Sequence, residues 1–323
     1  MPHFDLPLDK LREYRTTTEE PVGLDDWWAE RLATARALAK PLQLTRHEPG
    51  LYGPLEVYDA EFSGAGGDRI KAWYIKPPDA ASAGKIMVRF IGYGGGRGLP
   101  TEHVLLPAAG YGVLVMDTRG QGGRWSPGAT ADSAGQGTGP ENSLVMTRGV
   151  TTPEDYYYTR LFTDAALAVD AALELSGGAP VAVGGASQGG GLSLAAAALQ
   201  RENVAVCHAD VPFLCDIQRA VTFAPSAPYT EIAEFLAQHV DLVDVTLNTL
   251  RYIDCALLAR RVTATTLVST GLMDMVCPPS TVFAAYNEIT AGKDIAVHPF
   301  SGHDVPRLHG ERQLRHLREH FPA

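Results

Sequence analysis

Hydrophobic and polar positions alternate along Leu55–Phe62 and again along Ile70–Ile75, with a glycine-rich turn between them. That period of two predicts an antiparallel pair of strands. Two mostly apolar runs, Lys85–Ile91 and Gly112–Met116, predict a third and a fourth strand. Further on the period lengthens. Phe162, Ala165, Ala166 and Val169 fall on one side of a helix over Tyr156–Leu175. Strands at Val181–Gly184, Val204–His208, Thr263–Ser269 and Asp294–Pro299 then alternate with helices at Leu192–Gln200, Ser280–Thr290 and Arg307–Phe321. Near the start, residues 22–40 predict a helix capped by Asp25 or Asp26, with Trp27, Leu32, Ala35 and Leu38 near helical spacing.

An antiparallel opening followed by alternating β and α segments implies a mostly parallel central sheet with helices on both faces. Residues 211–261 interrupt the alternation. Pro225 and Pro228 precede two helical stretches, Tyr229–Leu236 and Leu242–Leu258, which read as an insert. Such an insert serves either as a cap over one end of the sheet or as a packing or assembly element, and the pattern leaves both open. No linker divides the chain, so a single domain over residues 1–323 with an embedded cap is expected.

The chemistry centres on Gly185-Ala186-Ser187-Gln188-Gly189, between a predicted strand and a predicted helix. Gly-x-Ser-x-Gly in that setting is the nucleophile elbow, a sharp turn that lifts the serine hydroxyl clear of the sheet. Glycines at 185 and 189 remove Cβ atoms that would collide there. An elbow on a middle strand of this series is the order of an α/β-hydrolase fold. A serine hydroxyl needs a base, and the base an orienting acid, in the chain order Ser, Asp or Glu, His. Asp274 follows the strand ending near Ser269 and is the expected acid, with Asp210 as its rival. His303, in the loop Phe300–Pro306 after the last strand, is the expected base. His298 falls within a strand and His309 at a helix start. The oxyanion formed on attack needs two backbone N–H donors. Gln188 follows the nucleophile, and Tyr93 lies in the glycine-rich loop Phe90–Gly98 after the third strand. Arg119 suits a brace joining a carboxylate to backbone carbonyls beneath the site. Trp125 reads equally as pocket wall or core. His316-Leu-Arg-Glu319-His320 matches a zinc pattern, but it sits among Arg312, Arg315 and Arg318 with no third ligand evident, so a solvated helix face is expected.

The chain has 323 residues, 45% hydrophobic and 20% charged, enough for a large core. Its net charge of −10 argues against nucleic acid or an anionic membrane as partner. Cys207, Cys215, Cys255 and Cys277 lack CxxC spacing and read as buried thiols. The start, Met1-Pro-His-Phe-Asp, has no basic, apolar leader, and no stretch approaches the ~18 apolar residues of a membrane span. A cytoplasmic location is the expectation.

Several stretches in order resemble the acetyl xylan esterase and cephalosporin C deacetylase family, carbohydrate esterase family seven. They are Met116-Asp-Thr-Arg119-Gly-Gln121-Gly, Met146-Thr-Arg-Gly-Val, Tyr156-Tyr-Tyr with Phe162-Thr-Asp, Gly185-Ala-Ser187-Gln188-Gly, Pro212-Phe-Leu-Cys-Asp, Gly271-Leu-Met-Asp274-Met-Val-Cys-Pro-Pro, and Gly302-His303. The resemblance covers about Trp27 to Phe321. It implies a serine esterase that removes acetyl groups from small sugar esters and often from cephalosporin C, with no cofactor. A peptidase, an acyltransferase and a silent binding protein are the alternatives. It places Ser187, Asp274 and His303 on the family's triad, Tyr93 and Gln188 on its oxyanion donors, and Arg119 and Gln121 in a motif that separates the family from generic esterases. It also implies a hexamer whose sites face an internal cavity. Three positions depart from the family's usual residues: Ile91 stands for His, Gly94 for Asn and Asp304 for Glu.

Overall fold

The computed structural model describes residues 3–78, 84–133 and 145–322. Among the described residues nine strands form one sheet: β1 (Gln43–Arg46), β2 (Glu56–Ser63), β3 (Arg69–Lys76), β4 (Ile86–Phe90), β5 (Gly112–Met116), β6 (Val181–Ala186), β7 (Val204–Asp210), β8 (Thr265–Gly271) and β9 (Lys293–His298). Their spatial order is β1-β2-β3-β5-β4-β6-β7-β8-β9. The pairs β1/β2, β2/β3 and β3/β5 are antiparallel and the remainder parallel. The sheet is therefore mostly parallel, with β6 near its middle.

The early helices are α1 (Leu8–Glu13), α2 (Leu24–Ala37) and α3 (Leu105–Ala108), followed by α4 (Tyr157–Ser176) and α5 (Gln188–Gln200). Helices α4 and α5 pack together, and Ala165, Ala166 and Ala168 of one and Ala195–Ala198 of the other are all buried. Small side chains let the two backbones approach closely against the sheet. Trp28 of α2 stacks on Phe162 of α4 in the same core. The opposite face is covered mainly by α11 (His309–His320), whose Leu317 and the following Phe321 meet Met87 and Val206.

Several local expectations change. Helix α2 is capped by Gly23 in the left-handed region at φ 75°, not by Asp25 or Asp26, which lie in the first turn with their charge toward the positive end of the helix. Its buried stripe is Leu24, Trp28, Leu32 and Ala35, while Trp27 is only partly buried and Leu38 is exposed. Helix α5 begins at Gln188, four residues before the apolar run that marks it in the sequence. Glycines 190 and 191 sit inside it because a Cβ there would reach the backbone oxygens of Asp210 and Phe213 at 2.7 and 2.3 Å. Helix α1 and strand β1 had no sequence signal, and every residue of β1 is exposed.

Between β7 and β8 lie α6 (Ile217–Phe223), α7 (Tyr229–Gln238), α8 (Val243–Leu250) and α9 (Cys255–Leu258), and α10 (Pro279–Glu288) follows β8. Asp254 ties this insert together. Its Oδ1 accepts from the N–H groups of Asp216 and Ala256, and its Oδ2 from Ile217. Burial, with Asp216 beside it, raises the Asp254 pKa to about 7. The N-terminal segment wraps onto the insert and α10: the Tyr14 and Thr16 hydroxyls donate to Asp216, and Asp5 accepts from the Ser280 N–H. Among the described residues, no helix is long and apolar enough to cross a membrane.

Candidate active site

Ser187 caps α5 at φ 57°, ψ −121°, a strained region for a residue with a side chain. The turn is held from both sides. The Ser187 N–H donates to the Asp210 carbonyl, and the Ser187 carbonyl accepts from Gly191 and Phe213. A Cβ at Gly185 would lie 2.6 Å from Gly189 backbone, and one at Gly189 would lie 2.3 Å from the Phe90 oxygen. Only glycine fits at either point, so strands β4 and β6 can close on the elbow.

Ser187 Oγ donates to His303 Nε2 at 2.8 Å, and His303 Nδ1 donates to Asp274 Oδ2 at 2.8 Å. Asp274 is fully buried, and its Oδ1 accepts from the N–H groups of Val276 and Cys277. A carboxylate held by two backbone donors and one imidazole has a fixed orientation. The loops carrying Asp274 and His303 are pressed together: the Met273 N–H donates to the Ser301 carbonyl, and a Cβ at Gly271 would lie 2.3 Å from the Gly302 oxygen. The rival carboxylate, Asp210, faces elsewhere. It accepts from Ser269 Oγ, His309 Nε2 and Gln313 Nε2. Burial pushes its pKa up, yet these donors hold it below the usual carboxylate value.

The loop after β4 is braced from behind. The Gly94 N–H donates to Gln121 Oε1 at 2.6 Å, and Gln121 Nε2 donates to the Tyr157 hydroxyl and to Gln188 Oε1. Gln188 Nε2 returns a bond to the Ile91 carbonyl, and the Tyr158 hydroxyl donates to Gln188 Oε1. One amide pair thus joins the loop, the elbow and α4. Gly94 has φ 78°, a conformation glycine and asparagine both adopt readily. The departure from Asn to Gly at this position therefore leaves the backbone path intact. The Tyr93 hydroxyl donates to both carboxylate oxygens of Glu231 on α7 at 2.9 Å, and Trp125 Nε1 donates to the Tyr93 carbonyl. Burial raises the Glu231 pKa.

Arg119 is wholly buried and lines no cavity of the site. Its guanidinium bonds both oxygens of Asp164 at 2.5 and 2.7 Å, then Asp68, Asp132 and the Ala65 carbonyl. The Arg119 carbonyl accepts from the Tyr157 hydroxyl, which links this cluster to Gln121.

Two cavities meet at Ser187. The larger, about 540 Å³, is lined by Arg89, Ile91, His103, Trp125 and Asp304, among others. The smaller, about 320 Å³, lies on the Tyr93, Arg124 and Pro228 side. Gly92, Trp125, Ser187 and His303 border both. Trp125, 62% exposed, is a wall between them and not a core residue. Asp304 is exposed in the larger cavity and makes no ion pair among the described residues, so the shorter side chain anchors nothing here.

Cys277 lies beside Ser187 and Asp274, and burial keeps its thiol well above the usual pKa. No thiolate rivals the serine at neutral pH. The ligand-capable atoms of Asp274, Cys277 and His303 lie within 4.8 Å of one another and could hold a cation, but only by breaking the bonds that orient His303. His316 of the zinc-like pattern pairs instead with His208 at 3.1 Å, and among the described residues no three-ligand group includes it. Glu231, Arg89 and His103 had not been singled out. No periodic or spacing signal marks them, because each reaches the site from a separate element.

A strained serine at a strand-to-helix elbow, hydrogen-bonded to a histidine and a buried aspartate from later loops, defines an α/β-hydrolase. The particular family follows from comparison. The acetyl xylan esterase (AXE1) family profile matches residues 1–320, and the chain belongs to that family, one of carboxylic ester hydrolases. An acetyl xylan esterase from Paenibacillus sp. R4 superposes with a TM-score of 0.88 at 32% identity, covering 98% of this chain and 100% of that one. Acetyl xylan esterase 1 from Thermoanaerobacterium sp. JW/SL YS485 gives 0.87 at 36% identity, with the same coverage. Acetyl esterase Axe7A from Xylanibacter ruminicola is 32% identical over 163 residues, 49% of this chain. The match spans 35% of that longer relative.

Proposed function

We propose that this chain is a serine esterase that removes acetyl groups from small acetylated sugars, xylo-oligosaccharides first among them, through an acetyl-enzyme. The observation that carries this reading is the unbroken line Ser187–His303–Asp274, with 2.8 Å at each link. Ser187 Oγ attacks the ester carbonyl while His303 Nε2 takes its proton. Asp274 fixes the tautomer that leaves Nε2 free to accept, and it stabilises the imidazolium. His303 then gives the proton to the departing sugar hydroxyl, and water repeats the sequence on the acetyl-enzyme. The oxyanion is bound by the N–H groups of Gln188 and Tyr93. Gln188 is the first residue of α5, whose leading N–H groups have no partner within the helix. Each such donor lowers the barrier by roughly 3 kcal/mol. Arg119 and Gln121 hold the loop and elbow that present these donors.

The cap reading of residues 211–261 rests on Pro228 and Glu231, which bring the insert to the Tyr93 side of the site. Cephalosporin C turnover and assembly as a hexamer are carried by the family resemblance, the single domain by a sequence without a dividing linker, and a cytoplasmic location by a sequence without a membrane-length apolar run. Acetate release from acetylated xylo-oligosaccharides by wild type and Ser187→Ala tests the reading, with p-nitrophenyl acetate, butyrate and octanoate as a chain-length series. The expected result is rapid deacetylation, falling steeply with acyl length and abolished in the variant. Equal rates on acetate and octanoate would remove the acetyl assignment.

A further inference from the structure

Arg89 lies on β4, one residue before Phe90 and the loop that borders Ser187. It lines the larger cavity together with Ser187, His303, Ile91 and Trp125. It also lines a smaller recess of about 120 Å³, shared with Glu102, His103, Leu105, Leu106 and Val113. Arg89 therefore borders both the reaction cavity and this recess. Among the described residues it makes no hydrogen bond or ion pair. Arg97, by contrast, is paired with Asp59, and Arg119 with Asp164.

The anion whose charge reaches Arg89 is Asp210. Its oxygens are already engaged by Ser269, His309 and Gln313. His103 cannot serve either, since its Nε2 is turned to the Arg97 carbonyl and burial depresses its pKa. Glu102 and Asp304 line the same cavity but are exposed and form no ion pair with Arg89, and Glu102 Oε2 accepts from the Leu99 N–H. Burial lowers the Arg89 pKa, but a guanidinium stays charged at neutral pH all the same. A half-buried cation with five donors and no internal partner is free to meet an anionic ligand entering the cavity.

We propose that Arg89 is a specificity residue that binds a carboxylate on the alcohol part of the substrate, so that the enzyme favours acetyl esters of acidic sugars such as uronic acids. This rests on the esterase reading above and narrows its substrate class. The planar guanidinium meets a carboxylate through two parallel N–H···O bonds, a geometry that a neutral hydroxyl or amide cannot match. Deacetylation by Ser187 then releases acetate and the free hydroxy acid.

The test compares two neutral-versus-acidic partners of the same shape: the acetylated methyl glucuronoside and its uronamide. Wild type is expected to hydrolyse the acid with kcat/KM about tenfold or more above the amide, mainly through KM, as a charge-assisted pair requires. Arg89→Gln should bring that ratio close to one, and Arg89→Lys should retain part of it. Because each ratio is taken within one preparation, the folded fraction cancels. Should Arg89→Gln not fold, the wild-type ratio and its decline with added salt carry the test. A wild-type ratio of one or less, or a ratio unchanged in Arg89→Gln, overturns the proposal. Failure of the wild type on both sugars and on p-nitrophenyl acetate would instead overturn the esterase reading, and this proposal with it.

Discussion

Replacing Gln121 by methionine removes one amide of nearly the same size and separates positioning from chemistry. Four contacts disappear: the acceptor for the Gly94 N–H at 2.6 Å, the donors to Tyr157 and to Gln188 Oε1 at 2.8 and 3.0 Å, and the acceptor for Gln188 Nε2 at 3.4 Å. Tyr157 keeps its bond to the Arg119 carbonyl, and Gln188 keeps those to Tyr158 and Ile91. The Gly94 N–H has no substitute, since Gly94 is buried. An orphaned buried donor costs about 1–3 kcal/mol, so Tm should fall by several degrees. Gly94 adjoins Tyr93, and a drift of that loop weakens one oxyanion donor. Its full loss is worth about 3 kcal/mol, or roughly a hundredfold in kcat. The expected outcome is a kcat about 10–100-fold lower with KM changed much less, because the oxyanion exists only in the transition state. Gln188→Met removes the other half of the same pair, so the double variant should be less damaged than the sum of the singles, by about 0.5 kcal/mol or more. Steady-state kinetics on p-nitrophenyl acetate, alongside thermal melts, reads both quantities. A lowered Tm with kcat within about twofold of wild type would refute the reasoning, for the amide would then brace the fold and not the donors.

Other contacts in the structure have consequences of their own. Gly271→Ala places a methyl against the Gly302 oxygen, so thermal stability and kcat should fall together as the Asp274 and His303 loops are forced apart. Arg119→Lys keeps the charge but not the two-pronged bond to Asp164, and chemical denaturation should show a loss of about 3 kcal/mol. His208→Gln addresses pH. Burial, with His316 beside it, lowers the His208 pKa to about 3, so the folded state excludes a proton that the unfolded chain binds below about 6.5. The stability this group allows is present above that pH and is lost as pH falls toward 3. Urea melts from pH 7 to 4 should therefore show a shallower acid decline in the variant than in wild type, and parallel curves would contradict the assignment.

The sequence made much of this architecture legible because periodicity reports burial directly. Strands β2 to β9 and helix α4 carry apolar patterns that only those structures satisfy, and each was readable within a few residues. Strand β1 was not, because all four of its residues face solvent and no alternation exists to read. Helix α5 was read four residues late, since its three glycines suit a turn by local preference and a helix only once Asp210 and Phe213 are packed on them. The same distinction governs the site. Ser187, Asp274 and His303 come from motifs whose order along the chain follows the fold. Glu231 and His103 are joined to the site by tertiary packing alone, and Arg89, though it adjoins the loop Phe90–Gly98, sits in a strand whose pattern does not say which way its side chain points. Gln121 was visible as part of a motif, but its partner Gln188 and their shared hold on Gly94 needed three dimensions.

The central claim is that Ser187 carries the acetyl group between the two half-reactions. Acid quenching during turnover of p-nitrophenyl acetate, followed by peptide mass spectrometry, measures this directly. The account predicts an acetyl adduct on the peptide containing Ser187 in the wild type, and neither adduct nor turnover in Ser187→Ala. Acetylation found at another residue, or turnover surviving in the variant, would contradict it.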